Sequence, residues 1–163
     1  MTTLFIGATQ RQIEIPIQPI DETHSYPEPL CDWIEPAEYL AKTIYGEANT
    51  LDKRQQAAVV WCVLNRVDAG WGTVIECVTS PKQFLGYADS NPIITEQFEL
   101  ALDILSRWLA EKNNSFMVGR VLPKDYLYFT GDLKTENIFR NAYIGGQIWD
   151  WSYPNPYEVN EVL

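Results

Sequence analysis

Along the middle of the chain, hydrophobic residues recur at the three- and four-residue spacings of an α-helix. The first such segment covers residues 36–48, where Leu40 and Ile44 share a face and Glu47 follows on that same face. Pro36 suits the first turn, because the amide hydrogen that proline lacks would have no helical partner there. The pattern therefore predicts a helix that ends with a carboxyl group beside apolar side chains.

Three more helices are predicted further along the chain. The second has the body AAVVWCVLNRV, which is apolar almost all round, as is typical of a buried helix. Asp52 and Gln55 would form a variant of the capping box at its start. A short helix is predicted over residues 73–79, and a long amphipathic helix, capped by Thr95, over residues 96–112.

Two segments near the end of the chain predict a small β-hairpin. They are YLYFTGD, residues 126–132, and IGGQIWDW, residues 144–151. At the other end, residues 12–17 alternate polar and apolar side chains, which fits a short edge strand limited by Pro16. The alternative for this N-terminal segment is a disordered arm.

These elements predict an α+β fold, mostly α, with a small β-hairpin. The chain of 163 residues is long enough for one domain with a substantial core. We expect this domain at residues 35–152, between an N-terminal extension at residues 1–34 and a C-terminal tail at residues 153–163.

Charge and hydropathy restrict the partners. A formal net charge of −10 argues against nucleic acid and against electrostatic docking on anionic membranes. No run approaches the roughly 20 apolar residues of a membrane-spanning helix. The N-terminus lacks the basic residues and the long apolar centre of a secretion signal. We therefore expect a monomer that is synthesised in the cytoplasm and does not insert into membranes.

The supply of histidine and cysteine narrows the possible chemistry. The single histidine, His24, lies in a polar, proline-rich stretch, whereas Ser-His-Asp and Cys-His systems need a histidine base and zinc sites need several ligands. Cys31, Cys62 and Cys77 lack paired metal-ligand spacing and are typical of a reducing compartment, with a disulfide as the minor alternative. No metal or cofactor is expected, and carboxylates are the expected catalysts.

Glu47 is the leading candidate among the carboxylates. Apolar neighbours and the negative end of the helix dipole both disfavour its charged form, so we expect its pKa to be raised. A carboxyl group that stays protonated near neutral pH can act as a general acid. The alternative is a partly exposed glutamate at a helix end, without a chemical role.

Three segments carry a specific residue pattern in a fixed order. They are LAKTIYGEA (residues 40–48), AAVVWCVLNRV (residues 57–67) and TVIECVTSPKQF (residues 73–84), and LYF and IGGQIW match more loosely. Together they resemble the SleB-type cell-wall hydrolases, the family that includes spore-cortex-lytic enzymes. The resemblance implies a lysozyme-like fold that cleaves the glycan strands of peptidoglycan, with Glu47 at the position of the catalytic glutamate.

Several other residues are candidates for substrate binding. Gln83 can bond an acetamido or hydroxyl group, and Phe84 can stack on a sugar face. The alternative is that Gln83 lies on the surface without a ligand and that Phe84 packs in the core. Tyr126 and Tyr128 would point to one side of the predicted strand, which is either a cleft wall or the core. Tyr45 either holds the acid by a hydrogen bond or simply packs beside it.

Gln147 marks a departure from the family pattern, which usually reads Ile-Gly-Gly-His at this place. If that histidine has a chemical role, the change affects activity. If it only packs or hydrogen-bonds substrate, glutamine can replace it. A non-catalytic peptidoglycan-binding or phage structural module on the same fold is therefore the alternative function, and a cytosolic regulatory protein is a third.

A second carboxylate would distinguish two reaction types. Most glycosidases pair the acid with another Asp or Glu, for which Asp89 and Asp132 are candidates, although Asp132 also suits a turn. The resemblance also allows a lytic transglycosylase, in which the 6-hydroxyl of the sugar attacks and no second acid is needed. Either enzyme would reach the wall by phage lysis or inside a virion.

Remaining polar and aromatic residues are expected to be structural. Asn65 and Arg66 close the second helix, where Arg66 would complement the negative end of the helix dipole. The tryptophans are expected in the core, apart from Trp149 and Trp151, which we expect to be the exposed pair.

Overall fold

The fold is α-rich, with two small antiparallel sheets. The computed structural model describes residues 2–6, 11–15, 30–131 and 135–158. A 3₁₀-helix at Leu30–Trp33 leads into four α-helices: α1 (Ile34–Ala48), α2 (Lys53–Asp68), α3 (Val74–Thr79) and α4 (Thr95–Lys112). One sheet pairs β1 (Thr2–Ile6) with β2 (Arg11–Ile15), and the other pairs β3 (Tyr128–Gly131) with β4 (Asn137–Arg140). The predicted helix-rich class with a small hairpin is confirmed.

Helix α2 forms the centre of the core. Its residues 57–64 are completely buried, because apolar side chains cover its whole circumference. Helices α1, α3 and α4 pack around α2, and α3 and α4 also pack against α1. None of the described helices is long and apolar enough to cross a membrane.

The start of α2 is capped by Asp52, as predicted. Its Oδ1 accepts a hydrogen bond from Gln55 N at 2.8 Å. Gln55 does not complete a capping box, since its Oε1 accepts from Asn137 N at 3.1 Å and so ties α2 to β4. The buried amide side chain thus serves a contact between elements that are distant in sequence.

The starts of α3 and α4 differ from each other in their capping. Thr73 and Glu76 form a complete capping box at α3, where a short helix was predicted. The prediction that Thr95 caps the long helix is wrong. Ile94 occupies the N-cap position without a side-chain hydrogen bond, and Thr95 is the first helical residue.

One strand of the predicted C-terminal hairpin is wrong. YLYFTGD supplies β3, but its partner β4 is formed by residues 137–140, which lie between the two predicted strands. IGGQIWDW contributes only an isolated bridge between Ile148 and Arg140. The observed register places the Phe129 and Phe139 rings 5.1 Å apart, whereas Gly145 has a left-handed backbone that interrupts a strand.

The two chain ends also differ from the sequence-based division. Residues 11–15 form β2, which confirms the predicted N-terminal strand in this part, while Pro16 and Ile17 lie outside the described residues. In the segment assigned to the tail, Tyr157 is partly buried and donates to Asp103 Oδ2 of α4 at 3.1 Å. Packing therefore continues beyond residue 152.

The tryptophan assignment is wrong for Trp149. This side chain is only 8% exposed, because its ring packs on Tyr126 and its Nε1 donates to Val121 O at 2.9 Å. Trp151 is half-buried against Phe139. The most exposed described tryptophan is instead Trp71, which follows α2 and is 41% exposed.

The last turn of α2 is tied to the segment that leads into β3. Asn65 Nδ2 donates to Pro123 O at 2.8 Å and to Tyr126 O at 2.9 Å, while its Oδ1 accepts from Arg120 Nη1. Arg66 Nε donates to the carbonyl of residue 127 at 2.8 Å. Both residues therefore have the structural role expected of them. They fulfil it through side-chain hydrogen bonds to the segment before β3.

We expect Asn65→Ala to lower the free energy of unfolding by about 2 kcal/mol, since buried hydrogen-bond partners would lose their contacts. Asn113→Ala, at an exposed site after α4, is the matched control and should change stability little. Urea unfolding of both variants tests this, and equal midpoints would contradict the role given to Asn65.

Candidate functional site

The Glu47 carboxyl group lies where α1 meets two other parts of the chain. Its side chain is partly buried, and its Oε1 accepts a hydrogen bond from Gly86 N at 2.7 Å. The Glu47 carbonyl accepts another from Asn137 Nδ2 at 3.0 Å. The loop after α3 and the start of β4 are thereby both attached to the turn that carries the acid.

Burial raises the pKa of the Glu47 carboxyl group above its ordinary value. The hydrogen bond from Gly86 and the positive charge of Arg66 act in the opposite direction, because both stabilise the carboxylate, but burial dominates. The direction agrees with the sequence-based expectation. Its cause is desolvation rather than the helix dipole, and it favours a group that can donate a proton.

Two glycines let the loop reach the acid. A Cβ atom on Gly46 would lie 1.7 Å from Gly86 O, and one on Gly86 would lie 2.2 Å from Gly46 O. No side chain fits at either place, so the backbone of α1 and the backbone of the loop are in direct contact. Nothing in the sequence around Gly46 or Gly86 indicates this contact.

Asn91 holds the same loop from its other end. Its Nδ2 donates to Gly86 O at 2.8 Å and to Lys42 O at 3.0 Å, so one side chain bonds both the loop and α1. The position of Gly86 is thus set by steric fit and by hydrogen bonds on both sides. This makes the N–H that meets Glu47 a preorganised donor.

A groove of about 520 Å³ lies between the end of α2, the loop after α3 and the β3–β4 hairpin. Glu47 is not among the described residues that line this groove, but Arg66 lines it and the charge of Arg66 also acts on Glu47. We call it the basic groove after its lining, which includes three cations and three aromatic residues: Arg66, Lys82, Arg140, Trp71, Tyr128 and Tyr143.

Of the predicted substrate-binding residues, Gln83 and Tyr128 lie together in the basic groove. Gln83 is exposed, and its Oε1 accepts from Arg66 Nη1 at 3.2 Å. The Tyr128 ring lies 5.9 Å from Trp71 and 5.8 Å from Tyr143, so it is the middle ring of a row of three. Both side chains are therefore available to a ligand in this groove.

Phe84 and Tyr126 belong to the core instead. Phe84 packs near Phe129 under the Arg66 guanidinium, whose central carbon lies 4.6 Å from the Phe84 ring centre. Tyr126 packs against Trp149, since it precedes β3 and the alternation along the strand does not extend to it. The core alternative is therefore correct for both rings.

Among the described residues, no hydrogen bond joins the side chain of Tyr45 or Gln147 to the Glu47 carboxyl group. The hydrogen bond that holds Glu47 comes from Gly86, while Tyr45 is half-buried on the same helix. Gln147 has an exposed side chain, and its backbone N donates to Asn141 Oδ1 at 2.8 Å. A substrate-binding role for these two residues stays a prediction.

No second acid is found beside Glu47 among the described residues. Asp89 is exposed and accepts a hydrogen bond from Tyr87 Oη, and Asp132 lies outside the described residues. No carboxylate is among the groups that shift the pKa of Glu47. The described part of the chain also contains no cluster of three or more metal-ligating side chains.

The sequence analysis missed most of the groove. Arg66 was expected to be structural and Trp71 to lie in the core, whereas Trp71 is 41% exposed, and no role was predicted for Lys82, Arg140 or Tyr143. The available signals were weak. Trp71 stands between two glycines after a helix, and Tyr143 precedes the IGG segment, but nothing in the sequence indicates that both approach Tyr128.

We expect Gly46→Ala to destabilise the protein by about 3 kcal/mol, because the new methyl group would overlap the Gly86 carbonyl. Gly70→Ala is the control: a Cβ there meets no atom within 4 Å, so only backbone strain from its φ of +84° opposes it. That strain costs about 1 kcal/mol. Thermal unfolding compares the two, and a smaller loss for Gly46→Ala would contradict the close contact.

Comparison with protein-family models, with curated proteins and with solved structures finds no match to this chain. The resemblance to the SleB-type hydrolases therefore stays a prediction, and the function is argued from the residues and their geometry.

Proposed function

We propose that this protein is a peptidoglycan-cleaving glycosidase with a lysozyme-like fold, related to the SleB-type hydrolases that its sequence resembles. The observation that carries the proposal is the partly buried Glu47 carboxyl group, whose pKa is raised and whose position is held by Gly86. Such a group is suited to donate a proton to a glycosidic oxygen.

The basic groove supports a polymeric sugar as substrate. Accessible aromatic rings stack on sugar faces, and this groove has a row of three, in which the half-buried Tyr128 lies between the exposed Trp71 and Tyr143. Gln83 adds an amide that can bond hydroxyl or acetamido groups. Arg66 lines the groove and its charge also acts on Glu47, so the groove and the acid are linked electrostatically.

The hydrogen bond from Gly86 also orients the proton on the acid. This N–H occupies Oε1 of Glu47, so the proton of the neutral carboxyl group belongs on Oε2. In the first step, Oε2–H would protonate the leaving glycosidic oxygen while the bond from that oxygen to the anomeric carbon breaks. Gly86 and Arg66 would then stabilise the carboxylate that forms.

The second step follows without a second acid. The 6-hydroxyl of the muramic sugar attacks its own oxocarbenium-like anomeric carbon, and the Glu47 carboxylate accepts the hydroxyl proton. An oxygen–carbon bond forms in place of the one that broke, and the acid returns to its protonated state. The product is a 1,6-anhydro sugar, as in a lytic transglycosylase.

We expect Glu47→Gln to reduce wall-lytic activity by at least about 100-fold, because the amide cannot donate the proton. Its oxygen can still accept from Gly86, so the fold should be retained. Glu35→Gln, at an exposed site in the first turn of α1, is the matched control and should stay active. Zymography and turbidity loss of purified walls measure both variants.

The same variant tests the raised pKa through stability. A carboxyl group whose pKa is higher in the folded state opposes folding once the pH passes its ordinary value of 4.5. We therefore expect Glu47→Gln to match wild type at about pH 4 and to be slightly more stable at about pH 8. Lower stability of the variant at the higher pH would show that burial does not penalise the charge.

We expect the soluble products to carry anhydro ends, lighter by one water than the reducing ends of a hydrolase. An inverting hydrolase needs a base carboxylate roughly 6.5–9.5 Å from the acid and a retaining one needs a nucleophile about 5 Å away. Among the described residues, no carboxylate acts on the pKa of Glu47, so we assign neither role. Mass spectrometry of a digested sacculus tests this, and predominantly reducing ends would direct attention to Asp89 and Asp132.

The alternative function is a binding module on the same fold. Gln147, in place of the family histidine, is the feature that favours it. A binding module would sediment with purified walls but release no soluble products, and Glu47→Gln would then behave like wild type in every assay.

A further inference from the structure

The positive charges of the basic groove are unusual for this protein. The chain has 22 acidic residues against 12 lysines and arginines, yet three of those cations line one groove. Among the described residues that line the groove, none is acidic. The local charge is thus opposite to that of the whole molecule, which attracts anions to this place.

These cations are not used by ion pairs within the described part of the chain. The ion pairs found there use Arg107, Lys112, Arg120 and Lys124 instead. Among the described residues, the Arg140 side chain donates to the Thr130 hydroxyl group, at 3.1 Å. A ligand carboxylate could therefore add charge-assisted hydrogen bonds without breaking an existing pair.

Lys82 differs from the other two in its backbone. It has a φ of +64°, a left-handed conformation that is uncommon for a lysine. Its side chain is exposed and forms part of the groove lining. This backbone conformation places a charged side chain at the groove, and strain of this kind collects at functional sites.

The aromatic row shares this groove. Tyr143 is 80% exposed and Trp71 is 41% exposed, so both rings remain accessible on either side of Tyr128. The groove therefore offers stacking surfaces for apolar faces and cations for carboxylates. A neutral glycan would use only the first of these features.

We propose that the basic groove binds the carboxylates of the peptide stems, so that the protein prefers peptide-bearing glycan strands to bare ones. This rests on the proposed function of the site at Glu47. Muramic sugars carry short peptides with free carboxylates beside the glycan, which match the combination of aromatic and cationic lining. Lys82 and Arg140 are the residues to which we assign the preference.

The test measures binding in the Glu47→Gln background, where strands are not degraded. Soluble glycan strands are prepared with intact peptides, and a second batch is stripped of peptides with an amidase. Calorimetry with both batches is repeated after adding Lys82→Gln or Arg140→Gln. Lys53→Gln, an equal change of charge at the other end of α2, is the control.

We expect peptide-bearing strands to bind more tightly than stripped strands, and each groove substitution to reduce that preference about tenfold. The preference should also decrease with added salt. Lys53→Gln should keep the wild-type preference. Equal affinity for both batches would overturn the proposal, and so would a preference that survives both groove substitutions. A polyglycerol phosphate, which is an anionic polymer without peptide carboxylates, should compete less well than peptide-bearing strands. If it competes equally well, the groove binds anions in general and the proposal is wrong.

The two proposals fail in different ways. If the wild-type protein cleaves neither batch but still prefers peptide-bearing strands, the catalytic proposal is wrong and the groove assignment holds. If it cleaves both batches with equal kcat/KM and binds them equally, the groove assignment is wrong and the catalytic proposal holds.

Discussion

The contact between the Gly46 and Gly86 backbones is the constraint on which the candidate site depends. Only because neither residue has a side chain can the loop lie against the last turn of α1 and direct its N–H at Glu47. This closeness also excludes water from one side of the carboxyl group, which contributes to the burial that raises its pKa. Asn91 maintains the approach by bonding both backbones. A steric property of two glycines thus determines an electrostatic property of an acid.

Arg66 joins the packing of the protein to its proposed chemistry. It is buried at the end of α2, where its guanidinium lies over Trp71 and Phe84 and its Nε bonds the segment that enters β3. From that fixed position Arg66 lines the basic groove, and its positive charge offsets part of the rise in the pKa of Glu47 that burial causes. A residue held so firmly provides a constant field, so the acid does not depend on a mobile partner. The structural role assigned to Arg66 from the sequence is correct but incomplete.

The elements that repeat with a clear period could be predicted, and the contacts between distant segments could not. The helices followed from apolar spacing, and Glu47 followed from its place on the face of α1. β4 was missed because its buried residues, Asn137 and Phe139, include a polar side chain whose partner, the Glu47 carbonyl, lies on α1. The Gly86 contact was missed because a glycine in a loop is explained equally well by a local turn as by a close contact with a distant segment. The groove residues come from α2, three loops and a hairpin, and no local pattern brings such residues together.

The hydrogen bonds of Glu47 also bear on when the site comes into existence. The donors that hold this residue lie 39 and 90 positions away along the chain, at Gly86 and Asn137. A ribosome that has released α1 and α2 has produced the acid but not the partners that bury and orient it. The carboxyl group would remain an ordinary solvated glutamate until the hairpin has been synthesised and packed. A cell that makes this protein would therefore be exposed to its proposed activity only after the fold is complete.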